Sequence, residues 1–362
     1  MDRNIDLINT LGKLIVFLML LFSVFLCTVK SKKRLANQLF AVFLLLTAFD
    51  LSGFFLGDTL KDYPNIKILK ISSSLLQMPA FFLYVLAICY SDFKLRPKHV
   101  GHTILFLVFL IILKITSISD QSFLLFTLTG ELQYYTYIIL IFLSLRKYKA
   151  VYLENYSDND NDAYKWLFQI TLFFSFAHFF VLVKLALLYF GKDQNLLQNI
   201  YLLISTVALF TICWFVLKAL YSPQLFTGVR TALEPIEYAL NNTRTKNIKK
   251  AISDESTVSL TGYMQSKQPH LDFELTLQKL AAQINMPEKE LSVLINQKIG
   301  KHFFDFINEY RIEDAKRLLK DNPQLTVLEI LYQVGFSSKS SFYTAFKKET
   351  GLTPLEYRKS NT

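Results

Sequence analysis

Seven apolar runs fill the first 220 residues and decide what this chain can fold into; they lie at 11–29, 36–57, 69–91, 100–119, 122–145, 166–190 and 196–220. About 20 helical residues cross the hydrocarbon core of a bilayer, so the pattern predicts seven membrane-spanning helices. The basic residues between the runs predict their direction. Connections one, three and five carry Lys30, Lys32, Lys33, Arg34, Lys94, Arg96, Lys98, Arg146, Lys147, Lys149 and Lys165. The alternate connections hold only Lys61, Lys67, Lys70 and Lys192. Basic loops stay on the cytoplasmic side, which predicts an outside N-terminus and a cytoplasmic C-terminus. Met1–Val29 reads as a retained first span, because its basic residues follow the apolar run and no small-x-small cleavage site appears.

The net charge of +10 invites a nucleic-acid reading, but its placement limits the argument. Residues 1–220 hold 20 Lys/Arg against 13 Asp/Glu, and residues 221–362 hold 19 against 16. Most of the excess therefore flanks the apolar runs. Cys27, Cys89 and Cys213 all fall within those runs, at no spacing that suggests a zinc site or a disulfide framework. No cofactor is expected. His99 and His102 could start a metal site at helical spacing, but no third ligand is nearby in sequence. Pro79 reads as a kink.

Several polar residues lie within the runs, among them Asp50, Glu131, His178 and Lys184. Ionisable groups within a bilayer usually face a bundle interior or a wet cavity. We expect these four to line a ligand pocket opening outward, the alternative being helix-packing pairs that bind nothing.

Ser222-Pro223 ends the last run, and Arg244, Lys246, Lys249 and Lys250 give the stretch that follows a basic end suited to anionic lipid or to a solvated linker. From Asp254 to about Lys267 a loose helical pattern is expected to open the DNA-binding unit, with Gln268-Pro269-His270 as the break after it. Two similar arrangements then follow. In the first, Leu277, Leu280, Ala281 and Ile284 mark a short helix closed by Asn285. Pro287 opens a second helix that buries Leu291, Leu294 and Ile295 and exposes Lys289, Ser292, Val293 and Asn296. A longer helix ends at Asn322-Pro323. In the second arrangement Thr326 and Glu329 form a capping box. Val327, Ile330, Leu331 and Val334 make the short helix, Gly335 the turn, and Ser337 or Ser338 the next cap. Phe342 and Phe346 then face inward, leaving Lys339, Ser340, Tyr343, Thr344 and Lys347 outside. Two helix-turn-helix units joined by a rigid helix suit successive turns of a DNA major groove.

From about residue 271 to 359 the chain resembles the DNA-binding domain of the AraC/XylS family of transcription regulators. The resemblance rests on Val334-Gly335-Phe336, Phe342, Phe346-Lys347-Lys348, Gly351, Thr353-Pro354 and Tyr357-Arg358. The first unit agrees through Leu280-Ala281, Leu291-Ser292, Gly300, Phe304, Tyr310-Arg311 and Ala315-Lys316-Arg317-Leu318-Leu319. Carried over residue by residue, the resemblance implies base-edge contacts from Lys289, Ser292, Val293, Asn296, Lys339, Ser340, Tyr343 and Thr344. It implies phosphate contacts from Lys347, Lys348 and Arg358. Leu331 stands where the family usually has a small residue, and Val293 cannot hydrogen-bond a base.

The expected architecture is all-α. A seven-span sensor or anchor occupies residues 1–220, a cytoplasmic connector 221–270 and a double helix-turn-helix domain 271–362. The expected function is that of a non-enzymatic regulator in a bacterial inner membrane, working as a homodimer. Its expected partners are double-stranded DNA, the lipid bilayer, a small-molecule or envelope signal, and RNA polymerase. Two other readings are a tethered regulator with the spans only an anchor, and a membrane transporter or enzyme with a regulatory tail. Against the second, the chain has no H-E-x-x-H, P-loop or nucleophile elbow.

Overall fold

Helices make up the regular structure in the computed structural model, which describes residues 2–30, 33–90, 93–116, 118–157, 162–191, 193–221 and 254–361. An isolated antiparallel bridge joins Tyr156 to Thr276. The chain divides into two compact units. One comprises Met1–Leu145 with Ala163–Thr231, and the other Arg146–Asp162 with Ala232–Thr362.

The apolar runs become α1 (Asp2–Thr28), α2 (Arg34–Leu51), α3 (Gly53–Leu56), α4 (Pro64–Ser73), α5 (Gln77–Cys89) and α6 (Ile104–Thr116), followed by α7 (Asp120–Asn155), whose end from Arg146 belongs to the second unit, α8 (Asp162–Phe190) and α9 (Gln194–Tyr221). Seven helical stretches among them are long and apolar enough to cross a membrane. Helix α1 packs on α2 and α9, and α2 packs on α5. Their outer surface stays apolar: Phe17, Ile115, Leu132, Phe176 and Phe210 are each more than half exposed. Water would penalise such a surface, whereas lipid tails are as apolar as the side chains themselves.

The third apolar run is interrupted where its proline requires it. Pro79 has no N–H to give the carbonyl four residues back, at Leu75. A 3-10 turn, Ser74–Leu76, separates α4 from α5 at that point. The freed Leu75 oxygen accepts a hydrogen bond from Nε2 of the buried Gln133, at 3.1 Å. The fifth run holds a surprise. Its helix continues past residue 145 to Asn155, so that Arg146, Lys147 and Lys149 belong to α7 rather than to a loop. Along this extension Leu145, Tyr148, Val151 and Glu154 are buried at a spacing of three, the signature of a packed helix face.

In the second unit, α10 (Asp254–Lys267) leads to the break at Gln268, a 3-10 turn Pro269–Leu271, and then α11 (Leu277–Gln283), α12 (Glu288–Val293), α13 (Phe303–Asp321), α14 (Val327–Gln333), α15 (Lys339–Thr350) and α16 (Pro354–Asn361). Helix α13 is the axle. Its Phe303, Phe306 and Ile307 enter one core with Leu280, Leu291, Leu294 and Ile295. Its Ile312, Ala315 and Leu319 enter a second core with Ile330, Leu331, Phe342 and Phe346. Leu260 and Met264 of α10 are buried in the first of these cores. Residues we assigned to the connector therefore complete the fold of the C-terminal unit. The remaining connector features, Ser222-Pro223 and the basic Arg244, Lys246, Lys249 and Lys250, lie outside the described residues.

Candidate nucleic-acid interface

Each helix-turn-helix is closed by local chemistry. In the first, the Thr276 hydroxyl accepts from Lys279 N at 3.1 Å and caps α11. Asn285 takes up the left-handed conformation (φ 53°) that the turn into Pro287 requires. In the second, Thr326 and Glu329 exchange hydrogen bonds: Thr326 N donates to the Glu329 carboxylate at 2.7 Å, and Glu329 N donates to the Thr326 hydroxyl at 3.2 Å. Those bonds hold the Glu329 carboxyl below its usual range. Ser338, not Ser337, caps α15 by accepting from Ser341 N at 3.2 Å. Thr353 and Glu356 repeat the box at α16.

The turn between α14 and α15 is the tightest point. Gly335 has φ +88°, and a Cβ there would stand 2.5 Å from the His270 carbonyl oxygen and 2.8 Å from that of Leu271. The loop 268–272 thus presses directly on the second turn. The same loop is held to α13, where His270 Nε2 lies 2.8 Å from Asp314 Oδ2.

Most of the residues assigned to DNA lie on open faces. Lys289, Lys339, Ser340, Thr344, Lys347 and Lys348 are exposed, while Ser292, Asn296, Tyr343 and Arg358 are half-buried. Lys339 carries its ammonium over the Tyr343 ring at 5.3 Å, so these two neighbours on α15 form one surface feature. Lys348 is tied to Asp305 of α13 at 2.6 Å, which makes it a brace between helices as much as a phosphate contact. Asn296 donates from Nδ2 to the Ser292 carbonyl at 3.0 Å, leaving its amide oxygen to face outward chemistry.

Val293 is a correction. A wheel drawn at 3.6 residues per turn puts it outside, yet it is only 4% exposed. The helix widens to a π-type turn over Leu294–Ile299 and stops at Gly300 (φ +77°). Val293 stands at the junction, where the α-helical wheel no longer describes the face. It belongs to the interior and contributes packing rather than a base contact. Nothing in its sequence neighbourhood signals the wider turn.

The four polar residues of the apolar runs engage partners singly, with Lys184 within electrostatic reach of both Asp50 and Glu131. Asp50 pairs with Lys70 at 3.2 Å, a partner absent from the expected set. Gly53 makes room for it, since a Cβ there would meet Lys70 Nζ at 2.7 Å. His178 Nε2 lies 2.7 Å from Glu131 Oε2, and its ring stacks on Tyr134 at 3.6 Å. Lys184 sits over the Tyr201 ring at 5.9 Å. Only His178 of the four lines the apolar cavity of about 220 Å3 found between these helices, together with Tyr134, Gln77, Phe43, Phe174 and Phe215. The Nε2 of Gln77 is buried there with no hydrogen-bond partner among the described residues. His99 and His102 are engaged otherwise: His99 Nδ1 accepts from Arg96 N, and His102 Nδ1 lies 2.6 Å from the Tyr137 hydroxyl. No group of three metal-ligating side chains occurs among the described residues.

Residues 280–360 match the family model for a helix-turn-helix domain. This stretch is therefore similar to helix-turn-helix domains. Over 95 residues the chain is 32% identical to YdeC of Bacillus subtilis, named as an uncharacterised HTH-type transcriptional regulator, covering 26% of this chain and 32% of that one. Over 108 residues it is 31% identical to the HTH-type transcriptional regulator MtrA of Neisseria gonorrhoeae, covering 28% and 36%. The solved C-terminal domain of the two-component response regulator yesN from Fusobacterium nucleatum aligns at 30% identity over 29% of this chain and 99% of that one, with a TM-score of 0.26. The chain spans about a third of the length of these curated relatives.

Proposed function

We propose that this chain is a membrane-held transcription regulator that binds double-stranded DNA sequence-specifically through its two helix-turn-helix units. The observation that carries the reading is a combination within one polypeptide. Two capped helix-turn-helix units offer polar faces on α12 and α15, and seven apolar helices keep large hydrophobic side chains turned outward. On α15, Lys339, Ser340, Tyr343 and Thr344 read base edges while Lys347 meets phosphate; on α12, Lys289, Ser292 and Asn296 approach the groove. Base contacts specify sequence, and phosphate contacts set register.

In this reading the basic connections lie on the cytoplasmic side, which puts the C-terminal unit where the chromosome is. The seven helices receive a signal, and the cavity beside His178 and Gln77 is its receiving site; such a ligand controls the protein only through a difference in affinity between two states. Two chains act together, and RNA polymerase is the partner through which a bound regulator affects transcription. One observation favours a second reading, in which the helices only anchor. Asp50–Lys70 and Glu131–His178 already satisfy one another.

Mapping of bound chromosomal DNA from cross-linked membranes tests the proposal. Discrete enriched sites that are lost or redistributed in a Lys339→Ala, Thr344→Ala variant are expected. Uniform recovery of DNA, or none, would overturn it.

A further inference from the structure

The most demanding buried group in the C-terminal unit is Arg311, on α13 and 1% exposed. A guanidinium has five N–H donors, and each one here finds an oxygen. Nε donates to the His270 carbonyl at 2.7 Å and Nη2 to the Asp272 carbonyl at 2.8 Å. Nη1 donates to Asn308 Oδ1 at 3.3 Å. The remaining two bonds reach far back in the chain, from Nη1 to the Ser157 carbonyl at 3.0 Å and from Nη2 to the Ser157 hydroxyl at 3.1 Å.

Ser157 lies just beyond the end of α7 and is itself 1% exposed. Its hydroxyl donates to the Leu275 carbonyl at 2.8 Å. Its neighbour Tyr156 makes the antiparallel bridge to Thr276, the residue that caps α11. A two-residue piece of backbone, more than a hundred residues upstream, is thus built into the C-terminal unit. Arg311, which Ser157 holds, also binds the loop that presses on Gly335 of the second helix-turn-helix. Removing Ser157 would take two acceptor oxygens away from a buried cation, which is costly unless the surroundings rearrange.

We infer that Tyr156–Ser157 is an internal docking segment through which α7 holds the DNA-binding unit in its binding-competent arrangement. The function of the docked state rests on the reading above; the docking itself does not. Two features support this direction of control. With the segment docked, Lys289, Lys339, Ser340, Thr344 and Lys347 remain exposed, and none of the residues that hold the segment is assigned to DNA. The same unbroken helix also carries Tyr134, which lines the cavity, and Glu131, which holds His178. Ser157 is a positioning residue, acting through Arg311.

The test uses the full chain in lipid nanodiscs. A Tyr156→Cys, Thr276→Cys pair is oxidised, and the cross-linked peptides are mapped by mass spectrometry against each single-cysteine variant. Cross-linking specific to the pair is expected, with affinity for a duplex selected from random sequence by the unmodified protein kept within twofold. Ser157→Leu is expected to weaken that duplex about tenfold and to speed hydrogen exchange at His270–Leu275. Exchange at Phe342 and Phe346 should stay slow, which separates undocking from unfolding, and Ser157→Thr should restore both properties. No pair-specific cross-link would overturn the docking. A cross-linked protein that loses the duplex until reduced would overturn the direction of control, and unchanged affinity and exchange in Ser157→Leu would overturn the role of Ser157. If the unmodified protein selects no duplex at all, the function fails while cross-linking and exchange still decide the docking.

Discussion

The two helix-turn-helix units share one axle, α13, but are closed in different ways. The first turns at Asn285 and lets its second helix widen into a π-type turn before Gly300. The second is fixed on every side. Thr326–Glu329 and Ser338 cap its helices, Thr353–Glu356 caps the helix that follows, and Gly335 is jammed against the loop 268–272. A rigidly placed helix offers its side chains in one geometry, and that is what direct readout of base edges needs. On the proposed reading the second unit reads bases, and the first, with Val293 turned inward and Asn296 tied to the Ser292 carbonyl, mainly positions.

Gly335→Ala should break this contrast most severely. The substitution asks alanine for φ +88° and sets a Cβ against two backbone oxygens. We expect a loss of about 2–4 kcal/mol, read as earlier thermal unfolding of the C-terminal unit; an unchanged melt would mean the turn is looser than described.

Next come the residues proposed to read bases. Thr344→Ala or Lys339→Ala should alter the selected sequence, at about 1–3 kcal/mol per lost base contact. Ser292→Ala should alter it less. Selection from random duplexes compares the three directly, and an equal effect from Ser292 would erase the distinction between the units.

Val293→Ala should remove about 1–2 kcal/mol of stability, as two buried methyl groups are lost, and leave the preferred sequence alone. A changed preference with unchanged stability would return Val293 to the DNA face. Smaller again, Lys347→Ala should weaken every duplex alike and lower the salt slope by about one phosphate's share, as measured by titration at several salt concentrations.

The smallest effect is on pH. Burial holds the His270 imidazole below its ordinary pKa of 6.5, against the opposing pull of Asp314, and Arg311 and Arg317 add to the lowering. The unfolded chain then binds the proton more readily than the folded one. Stability should be full above pH 6.5, fall as the pH drops through that value, and level off below the folded pKa. Melting at pH 7.5 and 5.5 should show the drop, and His270→Gln should flatten it.

How much of this was legible depends on distance along the chain. The seven helices and both helix-turn-helix units follow from local periodicity, and caps such as Thr326–Glu329 are written within four residues. Pro79 announces a break, though the break settles one turn earlier, where the Leu75 carbonyl loses its donor. The pairing of Asp50 with Lys70 could not be read, because depth along an apolar run does not say which helices are neighbours. The length of α7 was hidden because Arg146, Lys147 and Lys149 look like a loop in a charge count, while the buried Leu145, Tyr148 and Val151 show their stripe only once a helix is assumed. Arg311 was visible as part of a motif, but its bonds to Ser157 join residues 154 positions apart. Val293 was misplaced because the wider turn has no sequence signature.

The most direct test of the central claim is selection from a random duplex library by the full chain held in lipid nanodiscs, at several salt concentrations. The account predicts enrichment of a defined motif, with affinity that falls steeply as salt rises and a preference that shifts in Thr344→Ala. Recovery of duplexes without any common motif, or a preference indifferent to α15, would contradict it.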